Sequence, residues 1–163
     1  MKPSSPTIII DSREQTPLSF TQLPSIVDTV YSGDYSIQGA EHLFAVERKT
    51  LDDLATSFTF SRRATFEHEL LRLRGHRFRR LLIIGSEEDV KADRYYSNIL
   101  PQTLLGSLYA FEMRYDIPVV WTADPDSAAK LIERWARKFA TEITKVSFDI
   151  NCGKKSPSLN PVP

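Results

Sequence analysis

An apolar run that stops on three consecutive charges, Leu43-Phe44-Ala45-Val46-Glu47-Arg48-Lys49, constrains this chain more than any other stretch. Four apolar residues in a row suit a strand covered on both faces, and charged side chains are seldom buried unless they are paired. Such a strand carries its charged end either into solvent or into a site that uses it. Side chains alternate along a strand, so Glu47 and Lys49 share one face and Arg48 takes the other. Upstream, Gly33-Asp34-Tyr35 reads as a corner into another short strand, which puts a second acid, Asp34, one strand back. Two acids beside an amine can hold a divalent cation and address a water, the chemistry of phosphodiester hydrolysis.

Each residue taken singly has a plainer reading. Gly33-Asp34 is what a hairpin turn demands. Glu47-Arg48-Lys49 suits a solvated strand end, and Thr50-Leu51-Asp52-Asp53 fits a capping box opening a helix. It is the combination, with Asp34 one hairpin away from the Glu-x-Lys pair, that a solvated strand end leaves unexplained.

The rest of the chain alternates strand and helix signals, an α/β pattern. Thr7 to Asp11 is a β-branched strand, Val27 to Tyr31 and Tyr35 to Ile37 flank the Gly33-Asp34 corner, and Leu43 to Lys49 closes that meander. Thr50 caps a helix through Ser57, and Ser61 starts a second in which Phe66, Leu70 and Leu73 share a face. Arg80 to Ile84 is a buried strand, and Glu87 to Asn98 a polar stretch. Pro101 opens a helix with a stripe of Leu104, Leu108, Phe111 and Tyr115. Ile117 to Thr122 is another strand. Asp124 and Pro125 open a last helix, along which Ala128, Ile132, Trp135, Phe139 and Ile143 recur. These stripes are core or dimer-interface faces.

With 163 residues the chain has the length of one domain with a proper core. Its single cysteine, Cys152, excludes a disulfide framework and a Cys-rich zinc site, and His42, His68 and His76 have no ligand spacing. No apolar run reaches membrane-spanning length and no signal-peptide core is present, so the expected location is cytoplasmic, or nuclear in a nucleated cell. No Gly-rich phosphate loop or nucleophile elbow occurs. Net charge is zero, yet residues 61–80 hold seven arginines against Glu67 and Glu69, leaving that segment at +5 and the remainder at −5. Arg62, Arg63, Arg72, Arg74 and Arg77, with Arg79 and Arg80, either form a solvated face or contact a phosphate backbone as bidentate forks.

The ordered elements together resemble the XPF-type (ERCC4-domain) structure-specific endonucleases. Gly33-Asp34, twelve residues, Glu47-Arg48-Lys49 and three more to Asp53 match the GD…ERKxxxD signature, and Asp11-Ser12-Arg13-Glu14 matches the DxRE element. Ser57 and Ser61-Arg62 resemble the start of the basic helix that follows. The resemblance covers about residues 7 to 145. It implies a restriction-endonuclease-like PD-(D/E)XK fold, a mixed sheet flanked by helices, in one nuclease domain over residues 1–147. The Pro-, Ser- and Lys-rich tail, 148–163, is expected to be disordered.

By that resemblance, Asp34 and Glu47 hold Mg²⁺ or Mn²⁺, with Asp11 joining directly or through water. Lys49 orients or helps deprotonate a water, Arg48 supports the site from the opposite face, and Arg13 clamps a phosphate. Asp53 is a helix cap, an orienting partner of Lys49 or Arg48, or both. The expected substrate is branched, forked or flapped DNA in repair or recombination. A non-cleaving DNA-binding partner subunit is the alternative, and an RNA-directed or phage recombination nuclease shares the fold. Family members carry a following tandem helix-hairpin-helix domain, and the residues after Ser147 are too few for one. DNA grip is then expected from a homodimer, through faces around Trp135 and Phe139 or Tyr109 and Phe111, or from a separate DNA-binding partner.

Overall fold

The computed structural model describes residues 5–151, with side chains through residue 147. Strands β1 (Ile8–Asp11), β2 (Ser25–Asp28), β3 (Tyr35–Ile37), β4 (Phe44–Thr50), β5 (Phe78–Ile84) and β6 (Val119–Thr122) form one mixed sheet in the order β2-β1-β3-β4-β5-β6. Pairing is antiparallel between β1 and β3 and between β3 and β4, and parallel elsewhere. The helices are α1 (Leu51–Ser57), α2 (Arg63–Arg74), α3 (Glu87–Lys91), α4 (Pro101–Tyr115) and α5 (Pro125–Asn151).

Strand alternation sorts the core into two layers. Ala45, Leu81 and Ile83 face α1, α2 and α4, where Phe58, Phe66, Leu70, Leu104 and Phe111 pack. Phe44, Val46 and Leu82 face the opposite layer, where α5 contributes Ala128, Ile132 and Ala136. Leu81, Leu82 and Ile83 are all within 2% of full burial, each worth about 1.5–3 kcal/mol relative to exposure. Continuing the β4 alternation past Val46 puts Glu47 and Lys49 on the α2 side and Arg48 on the α5 side.

Several sequence expectations are corrected. Residues 27–31 do not form a strand of the meander. The strand is Ser25–Asp28, it lies at the sheet edge parallel to β1, and all four of its residues are exposed. Beyond Asp28 the main chain leaves the ladder, because the Val30 amide donates to Asp11 Oδ2 at 3.0 Å. Residues 87–91 within the expected polar stretch are helical. Ser86 caps that helix by accepting from the Asp89 amide, and Val90 anchors it in the core. Arg62 rather than Ser61 stands at the start of α2, without a side-chain cap. Phe111 is only 1% exposed, locked among Phe58, Phe66 and Tyr115, so it presents nothing to a partner. Trp135 and Phe139 are half-buried against Phe78. Helix α5 continues to Asn151, so residues 148–151 of the expected tail are helical, and its remainder, 152–163, lies outside the described residues.

The segment between β1 and β2 is irregular but fixed from below. Glu133 of α5 is 1% exposed, and its Oε1 accepts the amides of Thr21, Gln22 and Leu23 at 2.7–3.1 Å. Its Oε2 is buried without a partner. A carboxylate bonded by three consecutive amides holds the end of the segment whose beginning carries Arg13, Glu14 and Thr16.

Candidate active site

Asp34 owes its position to Gly33. The Gly33 φ of +78° is a left-handed conformation, and a Cβ there would approach the Val46 carbonyl oxygen to 2.9 Å. This close crossing lets the Asp34 amide donate to Val46 at 2.8 Å, while Asp34 Oδ2 accepts the Arg48 amide at 2.8 Å. The acid is thereby strapped across the β4 residues that flank Glu47.

Asp34 and Glu47 line two adjoining clefts of about 600 and 660 Å³, which also share Arg13 and Glu69. Burial, then the charge of Glu47, pushes Asp34 up to about 8. Glu47 is raised as well, by burial first, with Lys49 opposing and Glu69 adding to the rise. Burial works against the charged form of Lys49, but Glu47 and Glu69 outweigh it and its pKa is raised. The Lys49 ammonium sits 3.2 Å from Glu47 Oε1 and 3.4 Å from Glu69 Oε2, 4.8 Å above the Phe66 ring. An amine so placed stays protonated at neutral pH, which makes it a charge and a hydrogen-bond donor rather than a base.

Arg48 is inserted on the opposite face. Its guanidinium meets Glu14 through Nη2 at 2.8 Å and Nε at 3.3 Å, and Nη2 also donates to Thr16 Oγ1 at 2.8 Å. Both side chains of this ion pair are less than 9% exposed. Burial alone would lower Arg48, yet the Glu14 contacts raise it. Replacing Glu14 with Ala strands that guanidinium, with an expected loss of about 3–5 kcal/mol. Urea denaturation at pH 7 measures it, and a loss below about 1 kcal/mol refutes the pairing as a structural clamp.

Asp11 lies at the end of β1, where its Oδ1 accepts the Arg13 amide and Nε at 2.8 Å each. Its Oδ2 accepts Arg13 Nη2 and the Val30 amide, both at 3.0 Å. Burial opposes its charge, but these donors hold Asp11 below the usual carboxylate range. Asp53 forms the capping box of α1, with its Oδ2 accepting from the Thr50 amide and hydroxyl, and it lines the first cleft. Of the arginines, Arg62 lines the first cleft and Arg72 the second. Arg63 instead stacks over Phe111 at 4.7 Å and faces Glu67, while Arg74 and Arg77 are exposed away from both clefts.

Sequence reasoning missed Glu69 and Glu14 as members of the site. Glu69 follows the buried Phe66 by three positions and precedes Leu73 by four, so the helical stripe already aimed it at the sheet. Glu14 stood in the DxRE element, but its partner Arg48 was 34 residues away.

Residues 10–134 match the ERCC4 domain family. The chain belongs to that family of structure-specific nucleases. This ERCC4 domain shares its fold with XPF from Aeropyrum pernix, at 23% identity and a TM-score of 0.65, over 87% of this chain and 69% of that one. The same protein in complex with DNA gives a TM-score of 0.63 at 23% identity, over 84% of this chain and 66% of that one. No curated protein matches the chain significantly.

Among the described residues, no group of three His, Cys, Asp or Glu side chains has the spacing of a complete metal cage. The Asp34–Glu47 pair nevertheless fits Mg²⁺ in an ERCC4 domain. That ion keeps several waters and is commonly held by one or two carboxylates plus substrate phosphate. Burial and mutual repulsion raise both acids, Asp34 to about 8, and a divalent cation relieves the same repulsion. No helix among the described residues is long and apolar enough to cross a membrane.

Proposed function

We propose that this ERCC4 domain is a metal-dependent DNA endonuclease that hydrolyses phosphodiester bonds in flapped, forked or branched DNA during repair or recombination. The observation that carries the reading is the convergence of Asp34, Glu47 and a protonated Lys49 at the junction of two clefts edged by Arg62 and Arg72. The DNA complex of the Aeropyrum pernix protein supports a nucleic-acid partner for this fold.

Asp34 and Glu47 hold Mg²⁺ or Mn²⁺ in this reading. When bound, the ion lowers the pKa of a water and stabilises charge on the scissile phosphate. Lys49 donates to the attacking water or to the phosphate, and its pairing with Glu47 and Glu69 fixes its direction. Arg13, oriented by Asp11, and Arg62 and Arg72 take flanking phosphates. Arg48 and Glu14 hold the strand end rigid, so the acids need no rearrangement on binding. Grip on a long substrate comes from a second copy of the chain or a separate DNA-binding partner.

Flap, fork and linear duplex DNA incubated with the protein in Mg²⁺ or in EDTA tests the reading. Cleavage of the branched substrates in Mg²⁺ alone is expected. Binding without cleavage in either Mg²⁺ or Mn²⁺ overturns it in favour of a non-cleaving DNA-binding subunit. For the phosphate contacts, Arg62→Ala and Arg72→Ala are each expected to reduce the slope of log affinity against log salt by about 0.9, whereas Arg74→Ala and Arg77→Ala, outside the clefts, change it less. Equal slopes for all four remove the clefts as the DNA path.

A further inference from the structure

Among the described residues, three aromatic side chains are more than three-quarters exposed: Phe60 at 102%, Tyr96 at 92% and Tyr31 at 79%. One lines a cleft and the other two neighbour residues that line one. Phe60 stands in the turn between α1 and α2, flanked in sequence by Ser57 and Arg62, which line the first cleft. Tyr96 is tied to the start of α1 by its amide, which donates at 2.7 Å to Oδ1 of Asp52, another lining residue of that cleft. Tyr31 itself lines the second cleft with Arg72 and Asp34.

Exposed apolar residues scattered singly need no explanation. These three are not scattered, and apart from Tyr109, at 38%, the remaining large aromatics with described side chains pack in or against the core. A ring held in water beside arginines is the arrangement that takes a nucleobase, whose face stacks while the guanidinium meets its phosphate. Paired bases within a duplex have both faces covered by neighbours. Only unpaired bases offer a face, so aromatic rims select for them without reading sequence.

We propose that Phe60, Tyr96 and Tyr31 are stacking platforms for unpaired bases, which seat DNA with its boundary between paired and unpaired nucleotides over the Asp34–Glu47 pair. The inference rests on the nucleic-acid reading above and assigns the groups that recognise the branch. The seven residues of α1 span about 10 Å, so Phe60 and Tyr96, at opposite ends of that helix, are separated by a few nucleotides of extended strand rather than one.

The test uses the whole chain in EDTA, where no cutting complicates the reading. The probe is a duplex with a single-stranded arm carrying 2-aminopurine next to the junction, compared with the same base inside a perfect duplex. Binding should quench the arm probe. Phe60→Ala combined with Tyr96→Ala should abolish the quench and weaken junction binding at least about fivefold, with duplex affinity unchanged. Phe60→Trp should restore both. Because these side chains are exposed, the variants should melt with the wild type. Wild-type quench in the double variant, equal losses on junction and duplex DNA, or no DNA binding by the wild type each overturn the proposal. Quenching by a protein that never cuts in Mg²⁺ instead sinks the nuclease reading and keeps this one.

Discussion

Asp34→Asn and Glu47→Gln should each lower cleavage of flap DNA by about 10³-fold or more, equivalent to about 4 kcal/mol of barrier. Both amides are nearly isosteric with the acids they replace, so the fold should survive. The amide introduced at position 34 keeps an oxygen for the Arg48 backbone N–H, the contact that straps this corner to β4. What disappears is the negative charge that attracts the cation. The two losses should not add, because a site with one acid missing holds the ion too poorly for the second removal to matter. DNA affinity in EDTA should not fall, since both substitutions remove an acid rather than a phosphate-binding cation. Single-turnover cleavage and EDTA binding measured side by side check this. Retention of more than a tenth of the wild-type rate by either variant removes its acid from the chemistry. Asp53→Asn is the contrasting case. Its carboxylate caps α1, so it should cost about 1 kcal/mol of stability and leave cleavage at the same order of magnitude.

Without metal, the wild-type protein should lose stability as pH rises from about 4 to about 8, and Asp34→Asn should remove much of that loss. Burial and the neighbouring Glu47 charge raise Asp34 from 3.8 to about 8 in the folded state. Between those values the folded protein binds a proton that the unfolded chain has released, so the free energy of unfolding falls with increasing pH. Below the unfolded pKa both states are protonated and the two proteins should agree. Each pH unit between the two values is worth at most about 1.36 kcal/mol, and Glu47 shares in the effect, so above pH 8 the variant should be more stable by on the order of 3 kcal/mol. A cation bound by Asp34 and Glu47 should stabilise the wild type at pH 8, increasingly as its concentration rises, and do little for the variant. Urea melts from pH 5 to 9, with EDTA or Mg²⁺, measure both effects. A pH-independent difference between the proteins contradicts the buried, mutually repelling acid pair.

The two predictions depend on a site that was only partly legible along the chain. Residue types and alternation placed Glu47 and Lys49 on one face of β4 and Arg48 on the other, and both core layers follow that phase. Helical spacing identified Phe66, Leu70 and Leu73, and the stripe from Leu104 to Tyr115, because burial of a helix face repeats every three or four residues whatever lies opposite. Pro101 and the Asp124-Pro125 pair marked helix starts, since capping is local chemistry. The Ser86-Glu87-Glu88-Asp89 pattern held the same signal for α3, and the charges around it obscured it.

Local pattern determined every strand but β2 and the buried faces of the long helices, since these depend on neighbours within a few residues. Only the tertiary structure decided what each charge meets. It paired Glu14 with Arg48 across 34 positions, gave Lys49 a second acid in Glu69, turned both oxygens of Asp11 toward Arg13 and Val30, and set Glu133 beneath the amides of Thr21 to Leu23. It also moved β2 to the sheet edge and divided the arginines between clefts, ring stacking and solvent. The physical reason is common to all of these. Charge pairing and edge assignment are settled by what competes for a group in three dimensions, and sequence spacing carries no record of that competition.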